Sequence, residues 1–353
     1  MSSRTTQAMH MSDGIVNAPT SLIFAVIAVA GLAYAAWRAR AELDERAAPM
    51  AGLVAAFIFA VQMVNFPILP GVSGHLLGGA LAAILVGPYV GALCVAIVLV
   101  VQALLFADGG LTALGTNITN MALIGVAVGY TVARLVLPVL SRRRADAGIG
   151  IVAFVAALVG TVGAATGFVL EYAMGGAAGS TVGAVAGYML VTHALIGVGE
   201  GIITAITIVA VVNARPDLVY LLRVNGRRRT DATPPRLSLT GFLLAFAAVA
   251  VLVAGLLSYV ASSEPDGLDA TTQRGCTVVQ VDGGEQLEGD CIAKNARDHH
   301  LAKSPLAGYT IDGDDTLTGV AGVLGVVAAF AVLFAVVNLI RTGRNTAARG
   351  RRR

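Results

Sequence analysis

Long apolar runs separated by short charged segments set the pattern of this chain. Crossing ~30 Å of hydrocarbon takes about 20 apolar residues in helical form. Runs approaching or exceeding that length fall at 20–37, 50–67, 75–87, 89–106, 114–138, 149–172, 186–212, 239–261 and 317–340. Inside a bilayer no water satisfies backbone N–H and C=O groups, whereas a helix satisfies its own. The pattern therefore predicts an all-α, polytopic membrane protein with about nine transmembrane helices, seven followed by two. The third run is short and meets the fourth at Gly87-Pro88, so 75–106 reads either as a hairpin or as one broken helix.

Lysine and arginine collect in cytoplasmic loops. With the N-terminus outside and the C-terminus inside, 19 of the 24 basic residues become cytoplasmic. They include Arg38, Arg40 and Arg46, then Arg134 and Arg142 to Arg144, then Arg215, Arg223, Arg227 to Arg229 and Arg236, and finally the arginines of the tail. The 262–316 loop is then extracytoplasmic, with eleven of the 21 acidic residues and four basic ones. Its Cys276 and Cys291 lie in a compartment that permits a disulfide, while Cys94, inside a span, reads as a small packing residue. The organisation expected is a leader or misassigned start at 1–8, a seven-helix unit at 9–215 and a cytoplasmic linker at 216–238 containing Pro234-Pro235. A two-helix unit at 239–340, with its outer loop 262–316, and a basic tail at 341–353 complete it.

Composition strengthens this picture. The chain is 56% hydrophobic and 13% charged, against ~25% charged in soluble domains, and its mean hydropathy is +0.79. Disorder is excluded, and three cysteines exclude a disulfide-rich scaffold. A net charge of +3, with arginines spread between apolar segments, excludes a nucleic-acid partner. The two lysines, Lys294 and Lys303, lie in the outer loop, and no Gly-x-x-x-x-Gly-Lys-Ser/Thr run exists to cradle phosphates. No His-Glu-x-x-His or Cys-x-x-Cys occurs, and the first 19 residues lack a signal-peptide pattern, so the first span is expected to be retained. The chain is placed in the plasma membrane, with lipid around it and no prosthetic group.

Five histidines stand out in so apolar a chain. His10 follows Met9 just before the first span, and His75 closes the connection between the second and third runs; both face outside in the expected topology. A histidine in second position of a chain offers particular coordination chemistry. The α-amine, the intervening amide nitrogen and the imidazole close two fused chelate rings around one metal, and a further imidazole, such as that of His75, completes a square-planar nitrogen set suited to nickel(II) or copper(II). This requires Met9 to be the N-terminus, which residues 1–8 prevent unless translation starts at Met9 or the leader is removed. On spacing alone, a solvated His10 and a helix-terminal His75 hydrogen-bonded to a carbonyl are the alternatives.

The runs Met9-His10-Met11-Ser12-Asp13-Gly14, Asn65-Phe66-Pro67-Ile68 and Ser73-Gly74-His75-Leu76-Leu77-Gly78-Gly79-Ala80-Leu81-Ala82-Ala83 closely resemble the CbiM/NikM family. So do Leu114-Gly115-Thr116-Asn117-Ile118-Thr119-Asn120-Met121 and His193-Ala194-Leu195-Ile196-Gly197-Val198-Gly199-Glu200. These proteins are substrate-capturing membrane subunits of energy-coupling-factor transporters for cobalt and nickel. Pro265-Asp266-Gly267-Leu268-Asp269 and Ser304-Pro305-Leu306-Ala307-Gly308-Tyr309 resemble the PDGLE module, similar in role to CbiN, with Asp269 in place of the usual glutamate. The Cys276–Cys291 insert has no counterpart in that resemblance. The resemblance implies metal ligation by Met9, His10 and His75, with Met9 as the start. It also implies a transported Co2+ or Ni2+ as substrate, cobalt first and linked to cobalamin biosynthesis, and partners comprising a transmembrane coupling subunit and cytosolic ATPases. Asp13 is expected either to orient His10 or to shape its loop, and Asn117 and Asn120 are gate or lining candidates, or else helix-to-helix hydrogen-bonding groups. Glu200, a carboxyl group inside a span, is a functional candidate, with pairing to a neighbouring helix as its alternative.

A competing enzyme reading comes from Gly71-Val72-Ser73-Gly74, which matches the nucleophile motif of rhomboid-like intramembrane proteases with His193 as base. It leaves the Met-His start and the PDGLE run unexplained. A metal sensor that does not transport is a third reading, because it too needs no ATPase.

Overall fold

The structure, a computed structural model, describes residues 9–43, 47–140, 145–224, 236–281 and 284–350. The expected leader, residues 225–235 of the linker, and Arg46, Arg142 to Arg144 and Arg351 to Arg353 lie outside the described residues.

The apolar runs become helices. Helix α1 (Ala18–Glu42) starts where the Asn17 side chain accepts a hydrogen bond from Thr20 N, with Pro19 in its first turn. Helix α2 (Ala47–Gln62) leads to a short hairpin, β1 (Phe66–Leu69) and β2 (Val72–Gly74), then α3 (Gly79–Val86) and α4 (Pro88–Leu105). A longer run follows: α5 (Leu114–Asn117), a π-helical segment over Ile118–Gly125, and α6 (Val126–Leu140). Helices α7 (Ala145–Gly175) and α8 (Val182–Ala214) complete the larger unit, with α9 (Tyr220–Val224) behind them. Then come α10 (Leu239–Gly255), α11 (Gly267–Thr272), the antiparallel pair β3 (Cys276–Val281) and β4 (Gly284–Gly289), and α12 (Thr318–Gly350). Among the described residues, seven helical runs are long and apolar enough to cross a membrane, and the chain is a multi-pass, all-α membrane protein.

The runs predicted at 50–67 and 75–87 are shorter than spans of full length. Helix α2 has 16 residues and α3 has eight, so α3 rises only ~12 Å and cannot cross by itself. Gly87, at φ 98°, turns the chain, and Pro88 begins the next helix. Gly91 then lies against the backbone of Ala82 and Ala83, so 75–106 is a hairpin rather than one broken helix. All eight residues of α3 are buried. Small residues make that possible, since Gly129 of α6 seats Ala80 and Gly79 touches the backbone at Gly125 and Val126.

The C-terminal pair does not stand apart. Gly52 of α2 receives Phe330 of α12, Gly325 receives Phe59, and the Phe57 and Phe246 rings lie 5.2 Å apart. Glu42, at the end of α1, accepts from Tyr89 N at 3.1 Å and Val90 N at 2.9 Å and so caps α4. The opposite end of the bundle gathers the N-terminal segment, the β1–β2 hairpin, the 106–113 turn and the 262–316 loop. Ser73 N donates to Pro265 O, Gly110 N to Met11 O, Arg297 N to Asp13 O and Gly308 N to Phe106 O. In that loop a disulfide joins Cys276 to Cys291, and Cys94 is free and buried.

Candidate metal centre

The N-terminal segment is held like a strand, but by side chains. The Asn117 carboxamide pairs with the Met11 backbone in both directions, accepting from Met11 N at 3.2 Å and donating to Met11 O at 3.1 Å. Asp13 Oδ1 accepts from Thr112 N at 2.8 Å, Thr112 Oγ1 at 2.6 Å and Ala113 N at 3.2 Å. The turn after α4 approaches so closely that a Cβ at Gly110 would run into Asp13, and one at Gly109 into His10. Asp13 thus shapes the loop rather than touching the His10 ring.

This clamp buries His10 to 3% exposure. Its Nε2 lies 2.9 Å from Gln102 Oε1 and 4.0 Å from Asp108 Oδ2. An amide oxygen is an acceptor, so Nε2 is the donor in this contact, and Nδ1, the nitrogen nearer the backbone, takes no part in it. Met9 N donates to Asp108 Oδ1 at 2.7 Å, and Tyr309 Oη donates to Asp108 Oδ2 at 2.6 Å. Burial and the adjacent Asp108 carboxyl group push the Tyr309 hydroxyl well above its ordinary range, so it remains a donor.

His75 is delivered by the turn between β2 and α3, which buried polar side chains grip. Glu200 accepts from Leu77 N at 3.0 Å and Gly78 N at 2.9 Å, Thr161 Oγ1 donates to Glu200 at 2.7 Å, and Gln62 Nε2 donates to Leu77 O at 3.1 Å. Glu200 sits at the N-terminus of α3, where a carboxyl group complements the helix dipole. His75 Nδ1 is 3.1 Å from Leu76 O, and Nε2 is 3.1 Å from Met9 O and 3.3 Å from Asp266 Oδ2. The Asp266 contact comes from the second unit, which is fastened there by Ser73 N on Pro265 O and Ser73 Oγ on Glu264 O.

The His10 and His75 rings stand 5.4 Å apart, edge to face at 79°. They border a cavity of about 50 Å³ lined also by Met9, Met11, Asn117 and Asn120. Met9, His10 and His75 therefore converge, Asn117 and Asn120 form part of the wall, and Glu200 lies behind the His75 turn. Among the described residues no three His, Cys, Asp or Glu side chains are arranged to hold a metal ion. Any donor set built on His10 and His75 would thus be completed by other groups, such as backbone nitrogens, amide oxygens, thioether sulfurs or water.

Ser73 and His193 are not joined: Ser73 Oγ donates to Glu264 O, and His193 Nδ1 donates to Met189 O at 2.9 Å. Sequence reasoning passed over Gln102, Asp108, Asp266 as a His75 partner, and Glu171. Gln102 was visible as a lone amide in the fourth apolar run, and Glu171 as a carboxyl group in the sixth. Asp108 carried no signal beyond preceding two glycines.

Comparison with known proteins identifies the family. Residues 10–218 match the family described as the cobalt uptake substrate-specific transmembrane region, CbiM, and residues 240–342 match the PDGLE domain. The chain is 34% identical over 95% of its length to all of a protein of Archaeoglobus fulgidus assigned as a fused nickel transport protein, NikMN. It is 32% identical to the cobalt transport protein CbiM of Geobacter sulfurreducens, over 75% of this chain and 76% of that one. A crystal structure of a transition metal transporter superposes with a TM-score of 0.51 at 26% identity, covering 62% of this chain and 99% of the other. These relatives are transport proteins rather than enzymes, and the chain belongs to the CbiM family of cobalt and nickel transport membrane proteins, with a PDGLE domain in the same polypeptide.

Proposed function

We propose that the chain is the metal-capturing membrane component of an energy-coupling-factor importer. It takes up one divalent ion through the Met9 amine, the His10 amide and imidazole nitrogens, and the His75 imidazole. The observation that carries this is the convergence of the two imidazoles, His75 Nε2 lying on the Met9 carbonyl while Gln102 engages His10 through Nε2 rather than Nδ1. The site requires Met9 to carry the free amine, by internal initiation or removal of residues 1–8. Gln102 and Asp108 hold the two ends of the chelate, and Asp266 lets the PDGLE unit act on His75, either loading metal or keeping the N-terminal segment seated.

Four nitrogens in a plane suit nickel(II), and the relative matched along its whole length is assigned to nickel. Nickel is therefore the first substrate proposed, ahead of the initially favoured cobalt, which the family description supports as the second reading. With the site end outside, a transmembrane coupling subunit and cytosolic ATPases would engage the opposite end and supply the energy.

Titrating purified chains that begin at Met1 and at Met9 with nickel and cobalt tests the proposal. Tight binding by the Met9 form alone supports it and identifies the preferred metal. Equal binding by both forms removes the amine from the ligand set and overturns it.

A further inference from the structure

Helix α7 carries a carboxyl group that the capture site does not use. Glu171 is 0% exposed, and its Oε2 accepts from Asn120 Nδ2 at 2.8 Å. Its Oε1 has no hydrogen-bond partner, nor does the Asn120 side-chain oxygen, although Asn120 is only 7% exposed. No cationic side chain pairs with Glu171 among the described residues. Leaving two oxygens unsatisfied in the interior of a membrane bundle costs several kcal/mol in general. A leucine or a glutamine would hold the same helices together more cheaply.

The surroundings preserve this arrangement. Asn120 lies in the π-helical stretch Ile118–Gly125, a distortion that recurs at functional sites. On the facing helix, Gly167 leaves room where a Cβ would run into the Asn120 carboxamide oxygen and the Ile124 side chain. Asn120 also lines the cavity that His10 and His75 border. The carboxamide–carboxyl pair thus reaches the cavity of the imidazole pair through Asn120.

We infer that Asn120 and Glu171 form a second, oxygen-donor subsite that receives the divalent cation from the histidines on its way through the protein. The inference rests on the capture reading above. Chelating nitrogens hold a first-row metal tightly, and release needs a competing donor within reach. Carboxylate and carboxamide oxygens are harder and weaker ligands for nickel or cobalt than imidazole and amine, so they accept the ion without trapping it. The step is ligand exchange without redox chemistry. Metal–nitrogen bonds break, metal–oxygen bonds form, the His10 amide nitrogen takes a proton back from water, and the freed amine and imidazoles are again open to protons or a new ion.

Glu171→Gln tests this, because glutamine keeps the volume and an acceptor for Asn120 but removes the carboxyl group that can ionise onto a metal. The chain beginning at Met9 is titrated with nickel alone, and nickel uptake is measured in cells carrying the complete transporter. The expected result is capture affinity within about threefold of wild type but uptake reduced about tenfold or more, the scale seen for partners outside a ligand set. Glu171→Asp is expected to recover part of that uptake. Unchanged uptake in Glu171→Gln overturns the inference, as does a loss of affinity that matches the loss of uptake. If that variant fails to fold, Gly167→Ala, which presses a methyl group onto the Asn120 oxygen, carries the test; normal uptake then overturns it. A wild-type chain that binds neither nickel nor cobalt defeats the capture reading itself, a separate outcome read before any variant is compared.

Discussion

Residue chemistry decides what the site can hold, and it makes the sharpest predictions. His10→Ala and His75→Ala are each expected to weaken nickel binding by more than about 100-fold, since partners outside a ligand set alone cost about 10–100-fold. Isothermal titration of the chain starting at Met9 reads this. Binding displaces protons from amine, amide and imidazole, so affinity should climb as pH rises, about tenfold per unit for each proton released. The same titration at pH 6, 7 and 8 checks the sign, and a flat profile would count against nitrogen ligation. Asp266→Asn keeps a hydrogen-bonding group 3.3 Å from His75 but loses the charge. It is expected to slow uptake about tenfold while leaving the α11 cap in place, because Asp269 N uses the other oxygen. The proposed ligand residues were legible as rare sequence runs. Gln102 and Asp108 were not, because an amide and an aspartate gain meaning here only from standing beside a particular histidine.

At the scale of elements, the eight-residue α3 and the turn before it form the device that presents His75. Glu200 terminates that turn with two accepted N–H bonds, so Glu200→Gln exposes one amide to a donor instead of an acceptor. The expected cost is about 1–3 kcal/mol, seen as a lower melting temperature, with weaker nickel binding because the His75 turn loosens. Thr161→Val, which removes only the hydroxyl donated to Glu200, should lie between that variant and wild type. Gly87→Ala puts a side chain at φ 98° and against the Glu42 carboxyl group. A destabilisation of about 1–3 kcal/mol is expected, measured by thermal unfolding in detergent, with nickel affinity per folded molecule unchanged because Gly87 is at the far end of α3. Hydropathy marked a break at Gly87-Pro88 but could not choose between a broken helix and a hairpin. Gly91 lying against Ala82 and Ala83 makes that choice.

Considered whole, the molecule is one packed bundle in which the PDGLE unit closes over the capture site. Helices α10 and α12 cover α2, and residues 264–266 reach His75 from the same unit. Expressing residues 9–224 without the second unit should therefore uncover apolar surface on α2, lower the melting temperature, and free His75 from its carboxyl partner. Melting and nickel titration of that shorter chain, compared with co-expression of residues 236–353, would measure both effects. Full stability and uptake without the second unit would show that its contacts are dispensable.

Apolar run length and the spread of arginines were enough, by themselves, to determine a multi-pass helical membrane protein, because a bilayer leaves the backbone few other ways to satisfy its hydrogen bonds. Rare local runs around Met9, His75 and Asp266 were enough to identify the family. What only the tertiary structure decided was convergence. Met9, His75, Asp266 and the neighbouring pair Gln102 and Asp108 come from separate stretches of the chain that share no periodicity, so nothing local relates those stretches. Packing of small residues along α3, α4, α6 and α7, and the N–H groups fixed by Glu200, Asn117 and Asp13, bring them within hydrogen-bonding distance of one another.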